Sequence, residues 1–153
     1  MSCTTVTESF TFDTNILIYS ISSTDIRKHE IAKRLVSRHA SSRHPIVLQM
    51  LNEFYFATTR KRLIDASIAA AIINDALSVL PVTAASTEDL RIAMQWNQQH
   101  GLQFFDALLV ATARRAGCRT FYTEDMQSGR SVDGITLCNP FLLTPEELET
   151  HLS

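Results

Sequence analysis

Along this chain of 153 residues, short strand-like runs alternate with longer stretches of helical periodicity, and that alternation is the strongest constraint on its fold. Phe10-Thr-Phe-Asp13 reads as the end of a first strand; residues 45–48, 81–84, 119–123 and 135–138 have the same character. Between them, Asn15 begins a short helix. Ile31, Ala32, Leu35 and Val36 place apolar groups at i, i+1, i+4 and i+5 of an amphipathic helix over 25–40, with Arg and Lys on its wet face. Met50, Leu51, Phe54, Tyr55 and Ala57 mark another helix, and Asp65 opens an Ala/Ile-rich one that Pro81 cannot continue. Ser86 and Asp89 form a capping-box pattern for a helix stopped by Gly101. Residues 103–116 make a mostly apolar helix ended by Gly117, residues 124–134 a polar loop, and Thr144-Pro-Glu-Glu147 starts a last short helix. This order predicts an α/β sandwich with a mostly parallel central sheet, in a single domain over residues 1–153.

Composition narrows the class. Hydrophobic residues make up 45% of the chain, enough for a real core, and 4 Gly with 4 Pro argue against a loop-rich or disordered chain. The longest unbroken apolar run, Ile68 to Ile73, is too short to span a bilayer, and the first residues lack the pattern of a secretory signal. Cys3, Cys118 and Cys138 show no CxxC spacing; their odd number fits reduced thiols and a cytoplasmic location. A net charge of −2 is unevenly spread: residues 26–62 carry +7, whereas 63–153 carry −6. Such a basic segment can attract a polyanion locally, although a solvated helix face explains it equally well.

Most of the acids, including Glu30, Asp75, Glu88, Asp89 and Glu146, stand among polar neighbours or in helix-capping places. Asp13, Glu53 and Asp106 do not, because each is embedded in an apolar run; Asp125 follows the strand that contains Phe121 and Tyr122. Asp13 and Asp125 fall at strand ends, where a parallel sheet opens its ligand crevice. Glu53 and Asp106 fall near helix starts, so each alone is explained by the attraction of negative charge to a helix N-terminus. Together they are harder to explain. Two carboxylates about 4 Å apart repel by roughly 4 kcal/mol at an effective dielectric near 20, so a converging set needs protons or cations. An all-oxygen set selects a hard ion, Mg²⁺ or Mn²⁺, which can activate water and stabilise the leaving oxygen of a phosphodiester.

Read in order, Phe12-Asp-Thr-Asn-Ile-Leu-Ile18, Asn52-Glu-Phe54, Phe105-Asp-Ala-Leu108 and Tyr122-Thr-Glu-Asp-Met126 resemble the PIN-domain ribonucleases, most closely the VapC-type toxins of toxin–antitoxin pairs. The resemblance covers nearly the whole chain. It implies a PIN-like three-layer α/β/α sandwich and a Mg²⁺-dependent endoribonuclease. It also implies catalytic, metal-holding roles for Asp13, Glu53, Asp106 and Asp125, with Asn15 and Thr123 as polar neighbours that orient the carboxylates. Glu124 adjoins Asp125, and a one-residue shift would exchange their directions; the family pattern T-x-D favours Asp125. RNA as substrate, a homodimer and a small antitoxin occupying the active-site groove are further implications.

Other signals are weaker. Arg60-Lys-Arg62 closes the helix that carries Glu53, where it either complements the helix dipole or contacts RNA phosphates. Trp96, Phe104 and Phe105 read as core or contact residues, since a stacking role would require exposure. The apolar stretch 66–73 reads as core by default, with a subunit or antitoxin interface as the alternative. The five histidines, at 29, 39, 44, 100 and 151, read as surface or capping residues. Two rival functions stand beside the nuclease. One is a catalytically inert PIN-fold binding module; the other is an aspartate-based phosphohydrolase, disfavoured because Asn15 occupies the place of its second Asp.

Overall fold

A computed structural model of the chain describes residues 8–153. Strand β1 (Phe10–Phe12) pairs in parallel with β4 (Thr120–Tyr122), which pairs in parallel with β6 (Ile135–Cys138); β5 (Ser131–Val132) adds an antiparallel edge, giving the order β1-β4-β6-β5. Every residue of β1 and β4 is buried, as expected of parallel strands covered on both faces. The helices that provide the cover are α1 (Thr14–Ile21), α2 (Ile26–Ser41), α3 (Leu48–Arg60), α4 (Ala66–Val79), α5 (Thr87–His100), α6 (Phe104–Arg115) and α7 (Pro145–Leu152). The fold is thus the three-layer α/β/α sandwich that the sequence predicts. Gly101 ends α5 with φ 68°, a left-handed cap that a side chain would strain.

Two features of the sheet differ from the sequence reading. Strands β2 (Ile46–Val47) and β3 (Val82–Thr83) pair with each other in a separate two-stranded parallel sheet rather than joining the central one. The supposed polar loop 124–134 contains β5, joined to β6 by Asp133-Gly134 with φ 46° and 90°. That dipeptide is a strong two-residue hairpin signal, because both positions take positive φ. Trp96 Nε1 donates to Asp133 Oδ2 at 2.7 Å and Arg114 Nε to its carbonyl at 2.7 Å, so the turn is tied to α5 and α6.

Several burial expectations are also corrected. The stretch 66–73 is not core: only Ala69 of α4 is buried, and Ile68 and Leu77 are about half exposed. Leu77 lines an open, mostly apolar groove between α3 and α4 with Leu48, Leu51, Tyr55 and Ile73. His39 and His151 are buried; His151 Nδ1 and the Tyr122 hydroxyl share a hydrogen bond at 2.6 Å that docks α7 against β4. Cys118 is a buried free thiol and Cys138 is disulfide-bonded, which corrects the expectation of reduced thiols at that position; Cys3 lies outside the described residues. Among the described residues no helix is long and apolar enough to cross a membrane.

Candidate active site

The register of β1 on β4 sets the site. Phe12 lies opposite Tyr122, and the Asp13 amide donates to the Tyr122 carbonyl at 3.0 Å. Asp13 and Thr123 therefore leave the sheet side by side at its carboxyl edge. Asp13 caps α1, its Oδ1 accepting from the Ile16 amide at 3.3 Å, while Oδ2 accepts from the Thr123 hydroxyl at 2.5 Å. The same hydroxyl oxygen accepts from the Asp125 amide at 3.1 Å, and Asp125 Oδ2 accepts from Asn15 Nδ2 at 3.0 Å. One buried threonine thus ties the first of the four candidate acids to the last.

The other two acids arrive on helices. Glu53 is on α3, its Oε2 accepting from the Thr14 hydroxyl and its Oε1 from Gln49 Nε2, both at 2.9 Å. Gln49 Nε2 also donates to the Phe105 carbonyl at 3.3 Å, joining α3 to the start of α6. Asp106 sits in the first turn of α6, where Gln103 Oε1 caps its amide at 2.9 Å. The helix-dipole explanation therefore fits Asp106, but Glu53 lies beyond the first turn of α3. Asp13, Glu53, Asp106 and Asp125 line one cleft of about 250 Å³, together with Thr14, Asn15, Phe56 and Lys61.

Electrostatically the cleft is unbalanced. Asp13 is buried, and desolvation pushes its pKa from 3.8 up to about 7; the Thr123 hydrogen bond opposes this, and the charges of Asp125 and Asp106 add to it. Asp106 is raised as well, by burial first and then by Asp125 and Glu53. Among the described residues, no Lys or Arg forms an ion pair with any of the four. Nor, among those residues, do three His, Cys, Asp or Glu side chains stand close enough to form a ready metal cage.

The alternative acid faces elsewhere. Glu124 pairs with Lys28 Nζ at 2.8 Å and accepts from the Tyr19 hydroxyl at 2.5 Å, so Asp125 is the member of the pair that lines the cleft. Lys61 reaches the cleft, and Arg60 stands over the Phe56 ring at 5.6 Å. Arg62, exposed with φ 53°, does not line the cleft. Trp96 is buried as expected, but Phe105 is 58% exposed. Sequence reasoning missed Gln49, although its i, i+4 spacing from Glu53 is a helical-neighbour signal, and it read Phe56 only as part of an apolar run.

The comparisons with known proteins bear on the fold and the family. The family model for the PIN domain matches residues 10–130. No curated protein matches the chain. Among solved structures, the Mycobacterium tuberculosis VapC20 toxin, described as cleaving the sarcin–ricin loop, is similar at a TM-score of 0.60 and 25% identity, over 76% of this chain and 92% of that one. A toxin–antitoxin complex from Klebsiella pneumoniae matches at 0.59 and 21%, over 84% and 96%. VapBC2 from Rickettsia felis, bound to a DNA fragment from its promoter, matches at 0.57 and 16%, over 84% and 96%, a likeness of fold. The sheet order, the four acids at one edge and the match over most of its length make this chain a member of the PIN domain family.

Proposed function

We propose that the protein is a divalent-metal-dependent endoribonuclease, the toxin of a toxin–antitoxin pair. The observation that carries this reading is the cleft itself: four acids from four distant segments line it, no cation among the described residues pairs with them, and the pKa of one is pushed up to about 7. Outside a site that uses such charge, burial of this kind is simply destabilising.

The donor set fits Mg²⁺ or Mn²⁺. It is all oxygen, the donor chemistry of a hard cation that keeps several waters and takes one or two carboxylates. Asp13, Glu53, Asp106 and Asp125 are the residues that would hold it. When bound, the ion would supply activation of a water and stabilisation of charge on the leaving oxygen. The chain's own residues prepare that site. Thr123 fixes Asp13, Asn15 fixes Asp125, and Thr14 with Gln49 fixes Glu53, so the carboxylates do not have to be ordered when the ion arrives. Asp13 gives up its proton near neutral pH, so affinity for the ion rises as the pH climbs toward 7.

A partner chain is part of the proposal. The open apolar face of α3 and α4 is the sort of surface that a small antitoxin or a second subunit covers, and the solved neighbours include toxin–antitoxin complexes. Incubation of the purified protein with RNA and Mn²⁺ tests the catalytic reading: cleavage is expected, with loss in EDTA and in Asp13→Asn. The open spacing of the acids favours one second reading, an inert PIN-fold module. Calorimetric titration with Mn²⁺ separates the two, since an inert module takes up no ion and cuts nothing.

A further inference from the structure

One wall of the cleft carries more than acids. Helix α3 presents Gln49, Glu53, Phe56 and Arg60 along a single stripe, and Lys61 follows as its C-terminal cap; Glu53, Phe56 and Lys61 line the cleft. The rise of a helix places Phe56 about 4.5 Å and Lys61 about 12 Å further along its axis than Glu53. Phe56 is 62% exposed, an unusual state for a phenylalanine in a cleft, and the Arg60 guanidinium stands over its ring at 5.6 Å. Among the described residues, Arg60 and Lys61 have no acidic partner.

We propose that Phe56, Arg60 and Lys61 form a nucleotide subsite, in which an unpaired base beside the scissile phosphate stacks on Phe56 and the next phosphate meets Lys61. The inference rests on the ribonuclease reading and deepens it by naming the residues that hold the strand beside the cut. A base offers a flat π-face to the ring, which every base possesses, so the contact favours single strands without selecting sequence. Arg60 can cover the other face of the base or contact a phosphate, and Lys61 supplies charge that the four acids cannot. A protein partner fits less well, because Arg60 and Lys61 flank the ring and, among the described residues, have no acidic partner. A nucleic acid uses both the aromatic surface and these two cations.

Binding can be measured without cleavage, using fluorescent 2′-O-methyl octauridylate, an abasic octamer and a 2′-O-methyl duplex. The parent is expected to bind the octauridylate about tenfold or more tighter than the abasic octamer, as expected of base–aromatic stacking. Phe56→Leu, which keeps an apolar side chain at an exposed position, should lose that preference with little change for the abasic octamer, whereas Phe56→Trp should retain it. Lys61→Ala should weaken both single strands alike and lower the salt slope by roughly one phosphate contact. Equal octauridylate affinity in the parent and a folded Phe56→Leu protein overturns the proposal, as does preference for the duplex. If Phe56→Leu alters self-association in sedimentation but not RNA binding, the ring is a protein contact and the subsite is refuted. Failure of the catalytic reading shows separately, as absence of Mn²⁺-dependent cleavage while these binding differences persist.

Discussion

Two buried aspartates in this molecule have opposite surroundings. Asp89, at the start of α5, completes a capping box with Ser86 and pairs with Arg115 Nε at 2.9 Å. Asp13, at the end of β1, has a threonine, a backbone amide and two other acids nearby and, among the described residues, no ion-pair partner. The first carboxylate is neutralised by its own fold, so its burial serves structure. The second is left for something else to neutralise, and that difference, rather than burial, distinguishes a candidate site from a structural ion pair.

The largest expected effects would break this contrast if they failed. Asp13→Asn should reduce Mn²⁺-dependent RNA cleavage by at least about 100-fold in a gel assay, since under the proposed function it removes a charge that would hold the ion, and with it several kcal/mol of transition-state stabilisation. Asp89→Ala should do the reverse. It strands Arg115 and removes a cap, so urea unfolding should show a loss of about 2–3 kcal/mol, below the full cost of breaking a buried pair because Arg115 is 43% exposed. Cleavage per folded molecule should stay near the parent's. Equal activity losses in the two variants would show that the distinction has no functional content.

A pH series sharpens the same comparison. Below pH 3.8 Asp13 is protonated in both the folded and unfolded states. Between 3.8 and about 7 the folded state keeps a proton that the unfolded chain has released, so the stability this group provides at acid pH is lost as the pH rises. In EDTA, Asp13→Asn should therefore unfold at higher urea than the parent at pH 8, by on the order of 2–4 kcal/mol, with the advantage vanishing near pH 4. Saturating Mn²⁺ should narrow the difference by stabilising the parent at pH 8. A parent that is more stable than the variant in EDTA at pH 8 would contradict the unbalanced charge inferred for the cleft.

What could be read from the chain follows from how far each signal reaches. Strands and helices were legible because periodicity, Gly101, Pro81 and the Ser86 and Thr144 caps act over a few residues. Three of the four acids are legible because a carboxylate inside Phe104-Phe-Asp-Ala or Phe10-Thr-Phe-Asp violates local patterning, and Asp125 is legible from its place after the Phe121-Tyr122 strand. The capping role of Asp89 is legible, but its ion pair is not, since Arg115 lies 26 residues away; the burial of His39 and His151 is hidden because the contacts that bury them come from distant segments. The apolar stretch 66–73 shows the opposite error: composition reports what a segment could bury, but exposure depends on whether another element lies over it. The Asp133-Gly134 hairpin was available locally and was passed over in favour of a loop.

The smallest effect concerns which acid enters the cleft. Glu124 and Asp125 are adjacent on the segment after β4, and Glu124 is fixed on the far side by Lys28 and Tyr19. That anchor leaves Asp125 to meet Asn15. Lys28→Met retains an apolar stem to lie near Tyr19 and Phe141 while removing the charge. The pair is partly exposed, so its loss should cost no more than about 1 kcal/mol of stability. The change is therefore sought in the site: calorimetric Mn²⁺ affinity should fall by a few-fold, through a less well-held Asp125, with the same variant in an Asp125→Asn background showing no further loss. An additive loss in that background would mean that Lys28 acts on the cleft by charge alone and that the Glu124 anchor does not position its neighbour.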